Sequence, residues 1–112
     1  DSNFKKIGLP YADGIKFVNF DEIVCLEADG MYTKVSTLND GTILVSKPLK
    51  FFVESLQKIK VFYRPHRSYL INLTHIKEYV KKDGGYILMG NNKAVSISKD
   101  KKEEFLTIVQ NI

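Results

Sequence analysis

The sequence contains one cysteine and two histidines among its 112 residues. The single cysteine, Cys25, excludes a disulfide framework within the chain. Together with His66 and His75, it supplies too few ligands for a structural zinc site, which takes about four. We therefore expect no metal and no other cofactor, and a fold that depends on its hydrophobic core alone.

Long apolar segments are also missing. No stretch approaches the roughly 18 apolar residues of a membrane-spanning helix, and residues 1–10 lack the apolar core of a signal peptide. The sequence thus predicts a cytoplasmic protein without membrane contact. Seven glycines and three prolines are too few for a disordered or fibrous chain, so one folded domain is expected at this length.

Acidic residues are scarce in one part of the chain. Residues 58–102 hold eleven Lys and Arg side chains against three Asp and Glu, and this local excess suits an acidic partner. The only arginines, Arg64 and Arg67, both fall there. Because the arginine fork makes bidentate contacts with phosphate or guanine, this pair is the first candidate for a binding site. The alternative is that the pair bonds a local carboxylate.

Catalytic motifs are absent as well, since the sequence has no GxGxxG, Walker, HExxH or GxSxG pattern. His66 and Ser68 lie two residues apart, which on a strand places them on one face, so a Ser-His pair is an alternative. No third group that would orient the histidine is evident. We expect a protein that is not an enzyme, with Cys25 as a small buried apolar residue.

Short runs rich in Ile, Val, Phe, Tyr and Thr recur between turn signals, and this pattern predicts a mainly β domain. Three turns are rich in Gly, Asn and Asp, which tolerate the positive φ of tight hairpins. These turns are Asn39–Gly41, Lys82–Gly85 and Gly90–Lys93. The strand-like runs span residues 14–20, 22–28, 32–38, 42–46, 86–90 and 94–98, with further runs inside 61–82 that Pro65 breaks at a bend or sheet edge.

Helical periodicity appears in two segments only. It predicts a short helix near 48–58, capped by Ser46, and a C-terminal helix from Lys99 to Ile112, capped by Ser98. The apolar positions that carry this period are Leu49, Phe52, Val53 and Leu56 in the first helix, and Phe105, Ile108, Val109 and Ile112 in the second. Residues 1–11 are expected to be a tether from an upstream region, which leaves 12–112 as the domain.

A resemblance to a known family rests on three segments. RPHRSYLINLTHI (64–76), together with IVCLEADGMYTKVSTLNDGTILVSKPL (23–49) and AVSISKDKKEEFL (94–106), resembles the LytTR family, the DNA-binding output domain of LytR/AgrA-type bacterial response regulators. The resemblance implies an elongated arrangement of small antiparallel β-sheets, about ten short strands in all, with one short helix near 48–58 and a C-terminal helix. It also implies that loops, and not a recognition helix, enter the major groove.

The family's three base-reading segments carry over onto this sequence by position. The resemblance implies that the first segment is read through Met31, Tyr32 and Lys34, the second through Arg67, and the third through Ser98 and Lys99. Arg64 and His66, beside Arg67, are further candidates for DNA contacts. Many relatives have an arginine after the Val-Ser of the third segment, so here either Lys99 or Lys101 replaces it as a phosphate contact, or the site is read less strictly. Tyr32 and His66 have alternative roles in packing. Asn72 is expected to be a structural amide, and Lys81, Lys82 and Lys93 to add attraction to phosphates if their hairpin ends lie on the DNA side.

The resemblance also implies partners. They are double-stranded DNA with two repeated half-sites, an upstream receiver domain in the full-length protein, and a second copy bound weakly or only on DNA. The competing hypothesis is a β-rich RNA-binding or protein-interaction module without operator specificity. Single-stranded RNA binding needs aromatic side chains exposed on a sheet face, whereas the Tyr and Phe residues here alternate as a core does.

Overall fold

The structure, a computed structural model, describes residues 5–110. Within them it has ten strands and two α-helices, which confirms the predicted mainly β fold. The strands are β1 (Lys6–Tyr11), β2 (Gly14–Asn19), β3 (Ile23–Asp29), β4 (Tyr32–Thr37), β5 (Thr42–Val45), β6 (Phe62–His66), β7 (Tyr69–Asn72), β8 (Ile76–Val80), β9 (Tyr86–Met89) and β10 (Ala94–Ser96), and the helices are α1 (Leu49–Leu56) and α2 (Lys102–Gln110). No helix of this described part is long and apolar enough to cross a membrane.

The strands form three antiparallel sheets. A central sheet of order β5-β4-β3-β7-β6 lies between the two-stranded sheet β1-β2 and the three-stranded sheet β10-β9-β8. The whole measures 40 × 31 × 24 Å, which is the expected elongated arrangement.

Both faces of β3 are buried, and this explains its continuous apolar run. Leu26 packs in one core cluster with Leu9 of β1 and Phe52 of α1. Cys25 packs in a second cluster, on the other face, with Val95 of β10 and Phe105 of α2. A strand covered on both faces has no polar side to alternate with. Cys25 is 1% exposed, as expected for a small core residue, and burial raises the pKa of its thiol.

The three predicted hairpin turns are all present. In the β4–β5 turn, Gly41 has a φ of 65°, and its carbonyl oxygen accepts from the backbone N–H of Thr37 at 2.9 Å. Asp83 and Asn92 take positive φ values of 55° and 70° in the β8–β9 and β9–β10 turns. The turn chemistry in the sequence therefore located these three reversals of the chain.

The predicted helix caps are only partly right. The N-cap of α1 is Pro48, and the backbone N–H of Ser46 instead donates to Pro10, so the assignment of Ser46 was wrong. Ser98 does precede the 3₁₀ turn Lys99–Lys101 that leads into α2, but its side chain makes no cap hydrogen bond. The predicted end of this helix at Ile112 lies outside the described residues.

The expected tether over residues 1–11 is corrected for residues 6–11, which form β1. All six residues of β1 pair with β2, from Lys6 opposite Asn19 to Tyr11 opposite Gly14. Leu9 is fully buried in the core. The strand escaped detection because Gly8 and Pro10 weaken its apparent strand propensity. Pro10 has no N–H to donate to a ladder, but its carbonyl oxygen still accepts from the backbone N–H of Ser46 at 2.8 Å.

Candidate nucleic-acid interface

Arg67 lies at the tip of a tight hairpin. Arg67 and Ser68 form the turn between β6 and β7, whose last pair is His66 with Tyr69. β6 is an edge strand of the central sheet, and its register shifts between Tyr63 and His66, around the buried Pro65. A proline is tolerated at such an edge because its missing N–H breaks no ladder bond. This confirms the predicted edge and places Arg67 in solvent.

The two arginines have different roles in this turn. The Arg64 guanidinium donates through Nη2 to the backbone carbonyl oxygen of Arg67, at 2.7 Å. In the described part of the chain, the Arg67 guanidinium has no hydrogen bond or ion pair. The alternative in which the pair bonds a local carboxylate therefore does not hold. Arg64 braces the turn, and Arg67 is left with its full set of donors for a ligand.

His66 also stabilises the turn. Its Nδ1 accepts a hydrogen bond from the backbone N–H of Ser68 at 3.0 Å, so the ring proton is on Nε2 and is available for donation. The ring packs edge-on against Tyr69, with centroids 5.9 Å apart. The bond to Ser68 uses the backbone and not the hydroxyl group, so this is not the geometry of a Ser-His nucleophilic pair.

The third predicted segment lies beside this turn. The backbone N–H of Ser98 donates to the carbonyl oxygen of Pro65 at 2.8 Å. A shallow depression results, and it is lined by Arg64, His66, Arg67, Ser98, Asp100 and Lys101. Asp100 is the one carboxylate of this lining. It was not predicted from the sequence, because Arg64 and Arg67 are distant from it in the chain.

Lys99 and Lys101, the two lysines expected to replace the missing arginine, have different environments. Lys101 forms a 3.4 Å ion pair with Glu104, whose carboxylate also accepts from the Tyr63 hydroxyl at 2.8 Å. The Tyr63 bond is the main cause that lowers the pKa of Glu104. Lys99 is exposed and has no side-chain partner within residues 5–110. Of the two candidates for the missing arginine, Lys99 is the freer cation.

The first predicted segment is the turn between β3 and β4. Gly30 and Met31 form it between the paired residues Asp29 and Tyr32, and Gly30 has a φ of 63°, a region that suits glycine. The backbone N–H of Ala28 donates to the carbonyl oxygen of Ser68 at 2.8 Å. This bond puts the β3–β4 turn at the same end of the central sheet as Arg67.

Tyr32 and Lys34 follow this turn and lie on the exposed face of β4. Thr33, between them, lies on the opposite face and is buried. Tyr32 is 47% exposed at the start of the strand, a position that suits both of its expected roles. Lys34 stands opposite Glu27 on β3, two residues from the turn, and is exposed. We use the term loop edge for the β3–β4 turn, the β6–β7 turn and residues 98–99.

An ion pair behind the loop edge was not foreseen. Lys93, in the β9–β10 turn, lies 2.9 Å from Glu27 of β3, and the Tyr69 hydroxyl donates to the same carboxylate at 3.3 Å. The contact with Lys93 is the main cause that lowers the pKa of Glu27. Lys93 was expected to attract phosphates if its turn faces DNA, but in the structure its ammonium group pairs with Glu27 while the side chain stays 38% exposed. Lys81 and Lys82 are exposed in the β8–β9 turn.

No group of three or more His, Cys, Asp and Glu side chains in the described residues is placed to hold a metal ion. The loop edge itself presents hydrogen-bond donors and cations. Arg67, Lys99 and the Nε2–H of His66 present N–H groups, and Met31 presents an apolar surface. Such a set matches phosphate oxygens and the edges of bases.

Comparisons with known proteins show which family this chain resembles. The LytTr DNA-binding domain family model matches residues 13–110. The CO-responsive transcriptional regulator RcoM of Rhodospirillum rubrum is 30% identical over 86 residues, which cover 76% of this chain and 35% of that protein. The chain thus spans about a third of that relative's length.

A solved structure shows the same fold. It is the LytTr DNA-binding domain of a Bacillus cereus protein described as a methyl-accepting/DNA response regulator. The two chains superpose with a TM-score of 0.77 and 26% identity, over 94% of this chain and 96% of the other. Since the family model covers nearly the whole described chain and the fold agrees, this chain belongs to the LytTR family of DNA-binding domains.

Proposed function

We propose that this domain binds double-stranded DNA sequence-specifically by inserting its loop edge into the major groove. It acts by occupancy, without catalysis, as the output domain of a bacterial two-component response regulator. The observation that carries the proposal is the meeting of three segments, distant in the chain, at one end of the central sheet, with the Arg67 guanidinium free of internal partners.

The dimensions and chemistry of the major groove support this role. The groove is about 12 Å wide and admits a two-stranded β-ribbon. The tips of two neighbouring hairpins, β3–β4 and β6–β7, are therefore of suitable size. The Arg67 fork can donate to the N7 and O6 atoms of guanine, and its turn is already braced by Arg64, which lowers the entropic cost of binding. Lys99, Ser98 and His66 would contact phosphates or further base edges.

The remaining partners follow from the family and its relatives. One relative is named as a transcriptional regulator, and this chain spans about a third of it. We infer that the domain works in the cytoplasm, next to an upstream receiver domain, and that it binds two repeated half-sites with weak or DNA-dependent self-association. A single small module buries limited area on DNA, so paired binding raises its occupancy.

The competing RNA-binding hypothesis has less support. Within residues 5–110, the exposed large aromatic side chains are Phe17, Tyr32 and Phe51, on β2, β4 and α1 respectively. They do not share a sheet face, so they form no row on which successive bases would stack. Of this group, only Tyr32 lies next to the loop edge in the part of the chain that the structure describes.

Binding to three probes tests the proposal. A duplex selected from a random library by the domain is compared with a scrambled duplex and with one strand of the selected site. We expect a preference for the selected duplex over both. Each phosphate contact contributes roughly −0.9 to the slope of log K against log salt, so about three to six contacts give a slope of roughly −3 to −5. A slope near zero, or equal binding of the single strand, would contradict the proposal.

A further inference from the structure

Met31 is an apolar side chain in a loop edge that otherwise presents hydrogen-bond donors and cations. It is 75% exposed, the highest value among the large apolar residues that are exposed in the described part of the chain. Single exposed apolar residues are common on proteins and need no explanation by themselves. The position of Met31 is what distinguishes it, because it lies at the tip of the β3–β4 turn, within the loop edge.

The backbone holds this tip forward of Arg67. β3 pairs with β7 only as far as Glu27 opposite Tyr69, whereas it pairs with β4 through Ala28 and Asp29. The β3–β4 hairpin therefore extends beyond the β6–β7 turn. Because the strand pairing continues up to the turn, the tip is presented on a regular hairpin and not on a mobile loop.

The major groove offers one apolar group, which is the C5 methyl of thymine, among base edges that are otherwise donors and acceptors. If a methionine at the front of a groove-binding hairpin covered any other base edge, the donors and acceptors of that edge would be left without hydrogen-bond partners. Its unbranched, polarisable side chain adapts to small apolar surfaces. We propose that Met31 contacts a thymine methyl group and so specifies thymine at one position of the binding site. This inference rests on the proposed function.

The geometry also limits where that thymine lies. Neighbouring strands are about 4.8 Å apart, and the centres of the β3–β4 and β6–β7 hairpins are two such spacings apart, roughly 10 Å. Base pairs follow one another every 3.4 Å, approximately. The thymine contacted by Met31 therefore lies within about three base pairs of the guanine that Arg67 contacts.

Uracil-substituted DNA tests this directly, because uracil differs from thymine only in the missing methyl. Each thymine of a duplex selected by the wild-type domain is replaced by uracil in turn. We expect one replacement, within about three base pairs of the Arg67 position, to weaken wild-type binding about fourfold, the effect of one buried carbon. Met31→Ser should bind the thymine and uracil duplexes equally. Met31→Leu, which keeps an apolar side chain, should still discriminate between them.

Several results would overturn the inference while leaving the proposed function intact. One is a wild-type domain that prefers its selected duplex but responds to no uracil replacement, as expected if Met31 wedges between bases or stays outside the groove. Another is a Met31→Ser domain, folded by circular dichroism, that discriminates against uracil as strongly as the wild type. A selected site that has no thymine near the base pair contacted by Arg67 would also overturn the inference. Only a failure of the wild-type domain to prefer its selected duplex over a scrambled one would overturn both.

Discussion

The backbone N–H of Ser98 donates to the carbonyl oxygen of Pro65 at 2.8 Å, and this bond fixes two segments of the loop edge to each other. The bond from Ala28 to Ser68, also 2.8 Å long, fixes the third. Both bonds use only main-chain atoms. The side chains that point outward from these segments can therefore be exchanged without removing the bonds that position them, and the resulting variants report on DNA contacts.

Asn72 is expected to stabilise the domain without contacting DNA. It is 1% exposed, its amide donates to the carbonyl oxygen of Ile23 at 3.0 Å, and its Oδ1 accepts from the backbone N–H of Thr74 at 3.0 Å. Asn72→Ala leaves buried groups unpaired, so we expect a loss of about 1–3 kcal/mol in the free energy of unfolding, measured with urea. Thr74→Ala removes the hydroxyl that donates to Asn72 Oδ1 at 2.6 Å but keeps the backbone bond to the same oxygen, so it should cost less. An unchanged urea midpoint for Asn72→Ala would contradict this role.

Asn72 also shows what a sequence can predict. Its apolar neighbours Ile71 and Leu73 indicated a buried amide, and the structure confirms that role. The hairpin turns and both helices were equally visible, because turn residues and helical periodicity are local signals. Most of the fold could therefore be predicted from the residues themselves.

The contacts that shape the candidate site are of another kind. The ion pair of Glu27 with Lys93, and the place of Asp100 beside Arg64 and Arg67, depend on how separate sheets pack. No local pattern encodes them. The strand β1 was missed for a related reason, because its burial against the core overrides the weak propensity of its residues.

Cys25 should react slowly with a thiol reagent in the native protein. It is 1% exposed, and burial raises the pKa of its thiol, so little reactive thiolate is present near neutral pH. We expect a fast reaction in denaturant. The absorbance of the chromophore that the reagent releases measures the rate in both conditions. Equal rates in native buffer and in denaturant would show that Cys25 is not buried.

The ion pair of Glu27 and Lys93 should make stability depend on pH. The contact lowers the pKa of Glu27 from its ordinary 4.5 and raises the pKa of Lys93 from 10.5. The stabilisation is therefore fully present between about these two values. It is lost as pH falls through the lowered pKa of Glu27, or rises through the raised pKa of Lys93.

Since the two side chains are 26% and 38% exposed, we expect a contribution of only about 0.2–1 kcal/mol. Glu27→Gln should lower the urea midpoint at pH 7, and its difference from the wild type should shrink as the pH falls well below 4.5. Asp13→Asn, at an exposed position outside this cluster, serves as the control. A Glu27→Gln difference that stays constant from pH 7 into the acid range would contradict this assignment.

Two neighbouring binding sites should hold the domain more tightly than one. A single module contacts a limited area of DNA, and a second copy bound next to it adds avidity or direct pairing. Titration of a one-site and a two-site duplex of equal length, by fluorescence anisotropy, measures the difference. The two-site duplex with one scrambled half is the control, and equal affinity for all three would argue against repeated half-sites.

Reading of a base by Arg67 is the central claim, and two variants that lose the same charge test it. A bidentate contact with guanine contributes about 1–3 kcal/mol of discrimination, so Arg67→Ala should lose about tenfold or more on the selected duplex and much less on a random one. Lys82→Ala removes a charge from the exposed β8–β9 turn. Its effect should be small and nearly equal on both duplexes, with a salt slope less steep by about 1 at most.

The decisive measurement is the ratio of affinities for the selected and the random duplex, determined for each variant after circular dichroism has shown that it is folded. We expect this ratio to fall sharply for Arg67→Ala and to stay near the wild-type value for Lys82→Ala. If a folded Arg67→Ala domain keeps the wild-type ratio, either by losing affinity equally for both duplexes or by losing none, Arg67 does not read a base.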